Sequence, residues 1–137
     1  MATNTAGVVA RELPFQAVHY MRMDVAYDTT GISTGVAMPA YLPAGALILS
    51  TNVYVTTAFN AVTTNVLTVG TVSSAYNNMV AAGEVDETAT GGTSVLTGMD
   101  LTFASDTQVF IKYTQTGTAA TTGAATVVVA YVVNNDS

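Results

Sequence analysis

The sequence predicts an all-β protein: a single antiparallel β-sandwich, jelly-roll-like, over residues 14–137, preceded by an extended N-terminal arm over residues 1–13. Three observations carry that expectation. Thr, Ala and Val make up nearly half of the chain, and Val and Thr are residues that fit a pleated, half-buried surface. Apolar residues recur with period two in several long segments. Between those segments stand Gly, Pro, Asn and Asp, and no long segment carries the helical period, which together favour an antiparallel sandwich or barrel.

Residues 1–13 (MATNTAGVVAREL) are small, unpatterned and followed by Pro14, so they read as an arm rather than a core strand. From Phe15 to Tyr27 the odd positions Phe15, Ala17, His19, Met21, Met23, Val25 and Tyr27 alternate with a set that includes Gln16, Arg22 and Asp24, which predicts a long half-buried strand. Asp28 to Gly31 supplies a turn, and Pro39, Pro43 and Gly45 mark the following stretch as a connecting loop. Ala46 to Thr57 predicts a second strand, with Leu47, Leu49, Val53 and Val55 on one face and Ile48, Ser50, Asn52, Tyr54 and Thr56 on the other. Asn65 to Val72 predicts a third, in which Gly70 marks a bulge or a close backbone approach.

In Ser73 to Glu84, Tyr76, Met79 and Val80 fall three and four apart, which predicts one or two helical turns. Thr88 to Gly98 (TATGGTSVLTG) reads as a mobile, exposed loop of low complexity. Asp106 to Thr114 sets Val109, Ile111 and Tyr113 against Gln108, Phe110 and Lys112, and Ala124 to Val133 is almost wholly apolar. Gly117 and Gly123 bracket the connection, predicting an antiparallel hairpin. A strand with one wet face alternates; Val127 to Val133 does not, so both of its faces are expected to be covered. Only 9% of the chain is charged, against about 25% in ordinary soluble domains. The cover is expected from a local loop or from a second subunit, and the scarce charge favours the subunit.

The 137 residues suit one domain with its own core. There is no cysteine, hence no disulfide, thiolate metal site or thiol nucleophile. A net charge of -6 with only Arg11, Arg22 and Lys112 as cations cannot neutralise a run of phosphates, so no nucleic-acid partner is expected. No apolar run approaches the roughly 20 residues of a membrane span. Met1 to Ala10 has neither a basic start nor an apolar middle, so no secretion signal is expected.

Gly31-Ile32-Ser33-Thr34-Gly35 matches the G-x-S-x-G pattern of hydrolase nucleophile elbows, but that turn must lead from a strand into a helix, and Pro39 and Pro43 follow here. The only histidine, His19, precedes Ser33, against the order of those enzymes, and its apolar strand face predicts a hydrogen-bonded structural residue. Glu84, Asp86 and Glu87 form the densest acidic group; their spacing fits no calcium loop, even with Asp100 and Asp106 added, and a solvated loop is expected. Sugar clefts use aromatic platforms, and the chain has no Trp. Asn135-Asp136-Ser137 is a formal glycosylation sequon at a chain terminus, and Gly91-Gly92 lacks the Lys of a phosphate loop. No catalytic, cofactor-binding or metal-binding residue is expected.

Two segments carry a family resemblance. One is Leu42-Pro43-Ala44-Gly45-Ala46-Leu47-Ile48-Leu49 running into Asn52 to Asn60 (NVYVTTAFN) and on to Leu67-Thr68-Val69-Gly70; the other is Tyr113 to Val133 (YTQTGTAATTGAATVVVAYVV). Together, over about residues 40 to 137, the chain resembles head decoration (cement) proteins of tailed bacteriophages. The resemblance implies a jelly-roll-type protein on the outer capsid surface, made in the host bacterial cytoplasm. It would be a homodimer or homotrimer bridging neighbouring subunits of the major capsid protein, with no catalytic residues. Residues 1–13 are then expected to dock on the capsid or on a sister subunit. A rival expectation, a head-fibre or tail-associated module contacting host glycans, would use Thr88 to Gly98.

Overall fold

The computed structural model describes residues 17–133. The arm expected at residues 1–13, the first residues of the first predicted strand, and the terminal sequon lie outside them. Among the described residues there are seven strands: β1 (His19–Ala26), β2 (Val36–Leu42), β3 (Leu47–Thr57), β4 (Thr64–Gly70), β5 (Gly91–Val95), β6 (Thr107–Thr116) and β7 (Ala124–Val132). They form two antiparallel sheets, ordered β1-β7-β3-β5 and β2-β6-β4. Consecutive strands alternate between the sheets, the winding of a jelly roll, which in full has eight strands. The place beyond β4 that an eighth would fill holds one bridge, Val69 to Val80.

The core lies between the sheets and follows the alternation predicted for β1, for β6 and for the second half of β3. Met21 and Val25 of β1, Val127 and Val129 of β7, and Val53 and Val55 of β3 face Leu67 and Val69 of β4 and Val109, Ile111 and Tyr113 of β6. Each such aliphatic side chain, fully buried, contributes about 1.5–3 kcal/mol of transfer free energy.

Four expectations are corrected. In β3, Ile48 pairs with Tyr131 and Ser50 with Ala130, so Leu49 is an extra residue. That bulge reverses the parity of everything before it. Ile48 is buried, whereas Leu47 and Leu49 are 50% and 37% exposed on the outside. The Pro39 stretch is not a loop but strand β2, with Met38 and Leu42 buried. Its pairing shifts between Ala37 and Tyr41, which accommodates a proline on an edge strand.

The expected hairpin of β6 and β7 does not form, because the two strands lie in opposite sheets. Their connection crosses the sandwich, and Gly123, at φ +147°, lies so close to the Phe59 ring that an added Cβ would stand 2.3 Å from it. Residues 73–84 form turns instead of a helix. Asn78 accepts from Thr71 N–H at 2.8 Å and donates to its hydroxyl at 2.8 Å, a local pairing that competes with helical bonds. The three-and-four spacing serves two sides of one sheet: Met79 and Val80 enter the core, and Tyr76 stacks on the outer face against Phe110, ring centroids 4.5 Å apart. The close approach expected at Gly70 is present, since a Cβ there would lie 2.5 Å from Asn78 Oδ1.

Candidate functional site

The residues singled out for chemistry are not assembled into a reacting constellation. Ser33 is exposed in a turn in which Gly35 N–H and Thr34 Oγ1 both bond Gly31 O, at 3.0 Å each. The chain then enters strand β2, not the helix a nucleophile elbow requires. His19 stacks on Tyr131, ring centroids 5.7 Å apart. Its buried Nε2 has no hydrogen-bond partner among the described residues, which departs from the expected bonded imidazole.

The acidic group is divided among three tasks. Glu84 accepts from Ala81 N–H at 2.6 Å and from the Thr97 hydroxyl. Asp86 accepts from Thr88 Oγ1 at 2.7 Å and Thr88 N–H at 3.0 Å, and these bonds hold its carboxyl below the usual value. Glu87 is not solvated as expected but 6% exposed, and its Oε1 accepts from Leu67 N–H at 2.8 Å. Burial pushes its carboxyl above the ordinary value, although the Leu67 bond opposes the shift. Burial also raises the Tyr113 phenol, and the Glu87 charge adds to the rise. Among the described residues, no group of three or more His, Cys, Asp or Glu is placed to hold a metal ion.

Glu87 was legible only in retrospect. Val85 and Glu87 are both buried and Asp86 and Thr88 exposed, a two-residue alternation within GEVDET. Its carboxylate, with the Val80 bridge, closes the free edge of β4: Leu67 N–H goes to Glu87 and Val69 N–H to Val80 O. The segment 71–78 then crosses the outer face of β2-β6-β4, where Lys112 Nζ donates to Ser74 O at 3.1 Å beside the Tyr76–Phe110 stack.

Among the described residues, no segment crosses the other outer face. Registers across β1-β7-β3-β5 place Tyr20, Arg22 and Asp24 in rows with Thr126, Val128, Ala130 and Val132, with Leu47, Ser50, Asn52 and Tyr54, and with Gly92 and Ser94. Only Arg22 and Asp24 in these rows are charged, and they pair with each other at 3.7 Å. Thr126 Oγ1 also donates to Asp24 at 2.7 Å. Tyr20 is 66% exposed, and Val18 and Leu47 are exposed as well. Part of the cover expected over β7 is intramolecular: Ala130 is buried between β1 and β3, while Val128 and Val132 are half-buried. Thr88 to Gly98 is no simple loop, because Gly91 to Val95 pairs with β3 as strand β5.

No protein-family model matches the sequence, and no curated protein does. Solved structures do. The chain is similar to a chain of the cyanophage Pam1 capsid asymmetric unit, with TM-score 0.68 and 25% identity over 97% of this chain and 99% of that one. It also shares its fold with a chain of the acid-stable capsid structure of Helicobacter pylori bacteriophage KHP30, with TM-score 0.60 and 19% identity over 88% of this chain and 89% of that one. The structural neighbours are thus chains of phage capsids.

Proposed function

We propose that this chain is a structural virion protein of a bacteriophage, a decoration protein that sits on the outer capsid surface and bridges subunits of the major capsid protein. The observation that carries the reading is the near end-to-end likeness to a chain of the Pam1 capsid. The outer face of β1-β7-β3-β5 supports it, since an assembled protein gains from a broad, weakly charged contact surface. In this reading that face meets the capsid, copies of the protein associate with one another, and residues 1–13 add contacts to the capsid or to a sister copy. The protein is made in the host cytoplasm and joins the particle there; no chemical step is involved.

The test is addition of purified protein to capsids that lack it. Saturable binding with a raised capsid melting temperature is expected, with weaker binding when residues 1–13 are deleted. Binding to host cells or glycans with none to capsids would overturn the reading.

A further inference from the structure

Among the described residues the sandwich has four strand edges, and they are not treated alike. That of β4 is closed by Val80 and Glu87. β2 carries Pro39 and a register shift, and β5 is a five-residue strand that starts on two glycines. These are recognised ways of blunting an edge. β1 has eight residues with no Pro and no Gly.

Backbone geometry identifies what β1 leaves open. Tyr27 N–H donates to Gly123 O at 3.0 Å, and the β1–β7 register continues from that pair to His19 opposite Tyr131. In an antiparallel pair the bonded residues alternate. The odd-numbered residues of β1 therefore turn their N–H and C=O groups to β7, and Tyr20, Arg22, Asp24 and Ala26 turn theirs outward. Ala26 is closed by Thr29: its N–H donates to Thr29 Oγ1 at 2.8 Å and its C=O accepts from Thr29 N–H at 3.1 Å. The outward groups of Tyr20, Arg22 and Asp24 bond nothing among the described residues. An open edge of this kind accepts a further strand through main-chain bonds.

We infer that the strand it accepts is β1 of a second copy of this chain, paired antiparallel about a two-fold axis at Met23. In that register Arg22 lies opposite the partner's Asp24, and Asp24 opposite the partner's Arg22. Both crossings carry opposite charges on the outer face, and four main-chain hydrogen bonds form. The neighbouring register sets Arg22 against the partner's Arg22, and like charges directly opposite are destabilising. Pairing stops at Ala26, whose outward groups Thr29 already holds. The result is one continuous eight-stranded sheet with both outer faces on the same side. The pairing rests on the self-association in the reading above but is a property of the free protein, so its failure and the failure of capsid binding are read in separate assays.

The test uses the free full-length protein in sedimentation equilibrium over a concentration series. A species of twice the 14.1 kDa chain mass is expected. R22E, which sets acidic groups opposite each other at both crossings, is expected to weaken the dimer about tenfold. R22E/D24R restores opposite charges and is expected to restore the dimer. Because the chain has no cysteine, M23C supplies a single thiol, and on oxidation it is expected to give a disulfide-linked dimer that a reductant dissolves. Melting curves of all three variants verify that the fold is intact. A chain that remains a monomer throughout the series, or an oligomer indifferent to R22E whose M23C form does not cross-link, would overturn the proposal.

Discussion

On the β2-β6-β4 sheet the chain finishes its own outer surface: segment 71–78 crosses it, Tyr76 stacks on Phe110, and Val80 and Glu87 seal the β4 edge. On the β1-β7-β3-β5 sheet nothing comparable happens among the described residues: Val18, Tyr20, Leu47 and Leu49 are exposed, and Arg22 and Asp24 are the charged residues of its outer rows. Both sheets bury one face in the same core, so stability of the protomer does not explain the difference. It is explained if the first face belongs to the protomer and the second to an assembly. Substitutions on the two faces should then separate into those that unfold the protein and those that only disconnect it.

The largest effect is expected at Met79, the fully buried anchor of the covering segment. Met79→Ala should cost about 2–5 kcal/mol, read as a shifted urea midpoint with an unchanged slope. Glu87→Ala should follow at about 1–3 kcal/mol, since it strands the Leu67 amide without an acceptor at the β4 edge.

Glu87 also predicts a pH dependence. Its folded-state carboxyl lies above the ordinary 4.5, because burial disfavours the charged form. The folded state therefore holds the proton more tightly, so this contribution to stability is complete below 4.5 and is lost as pH rises through the folded value. Thermal melts should show a decline in that window that Glu87→Gln lacks. Asp86, with its carboxyl lowered by Thr88, acts in the opposite sense: its contribution is present above the ordinary value and fades as pH falls below it.

Tyr76→Ala should cost about 0.5–1.5 kcal/mol from the lost ring pair, beyond its buried area, and expose Phe110. The smallest effect on stability, within about 0.5 kcal/mol, is expected for Tyr20→Ser on the open face. Its consequence should appear instead as weaker saturation of capsids.

The alternation of β1 and β6 was legible in the sequence because period two reports directly on which side chains meet the core. What was not legible depends on partners distant in sequence. The Leu49 bulge is set by the register against Tyr131 and Ala130, and no signal in Leu47-Ile48-Leu49 indicates where parity reverses. Gly117 and Gly123 mark the ends of the β6–β7 connection but not whether it turns back or crosses the core. Pro39 is compatible with a loop and with an edge strand alike, and only the neighbour β6 decides between them. Cover on both faces of β7 was expected from scarce charge and the unbroken Val127 to Val133 run; within the protomer the described residues supply it at Ala130, and the rest depends on partners the sequence does not name.

The most direct measurement is a cryo-microscopy map of capsids saturated with this protein, resolved well enough to orient the sandwich. The outer face of β1-β7-β3-β5, with Tyr20 and Leu47, should lie against neighbouring protein while segment 71–78 faces solvent. A protomer bound through segment 71–78, with Tyr20, Leu47 and the β1 edge left in water, would contradict the account.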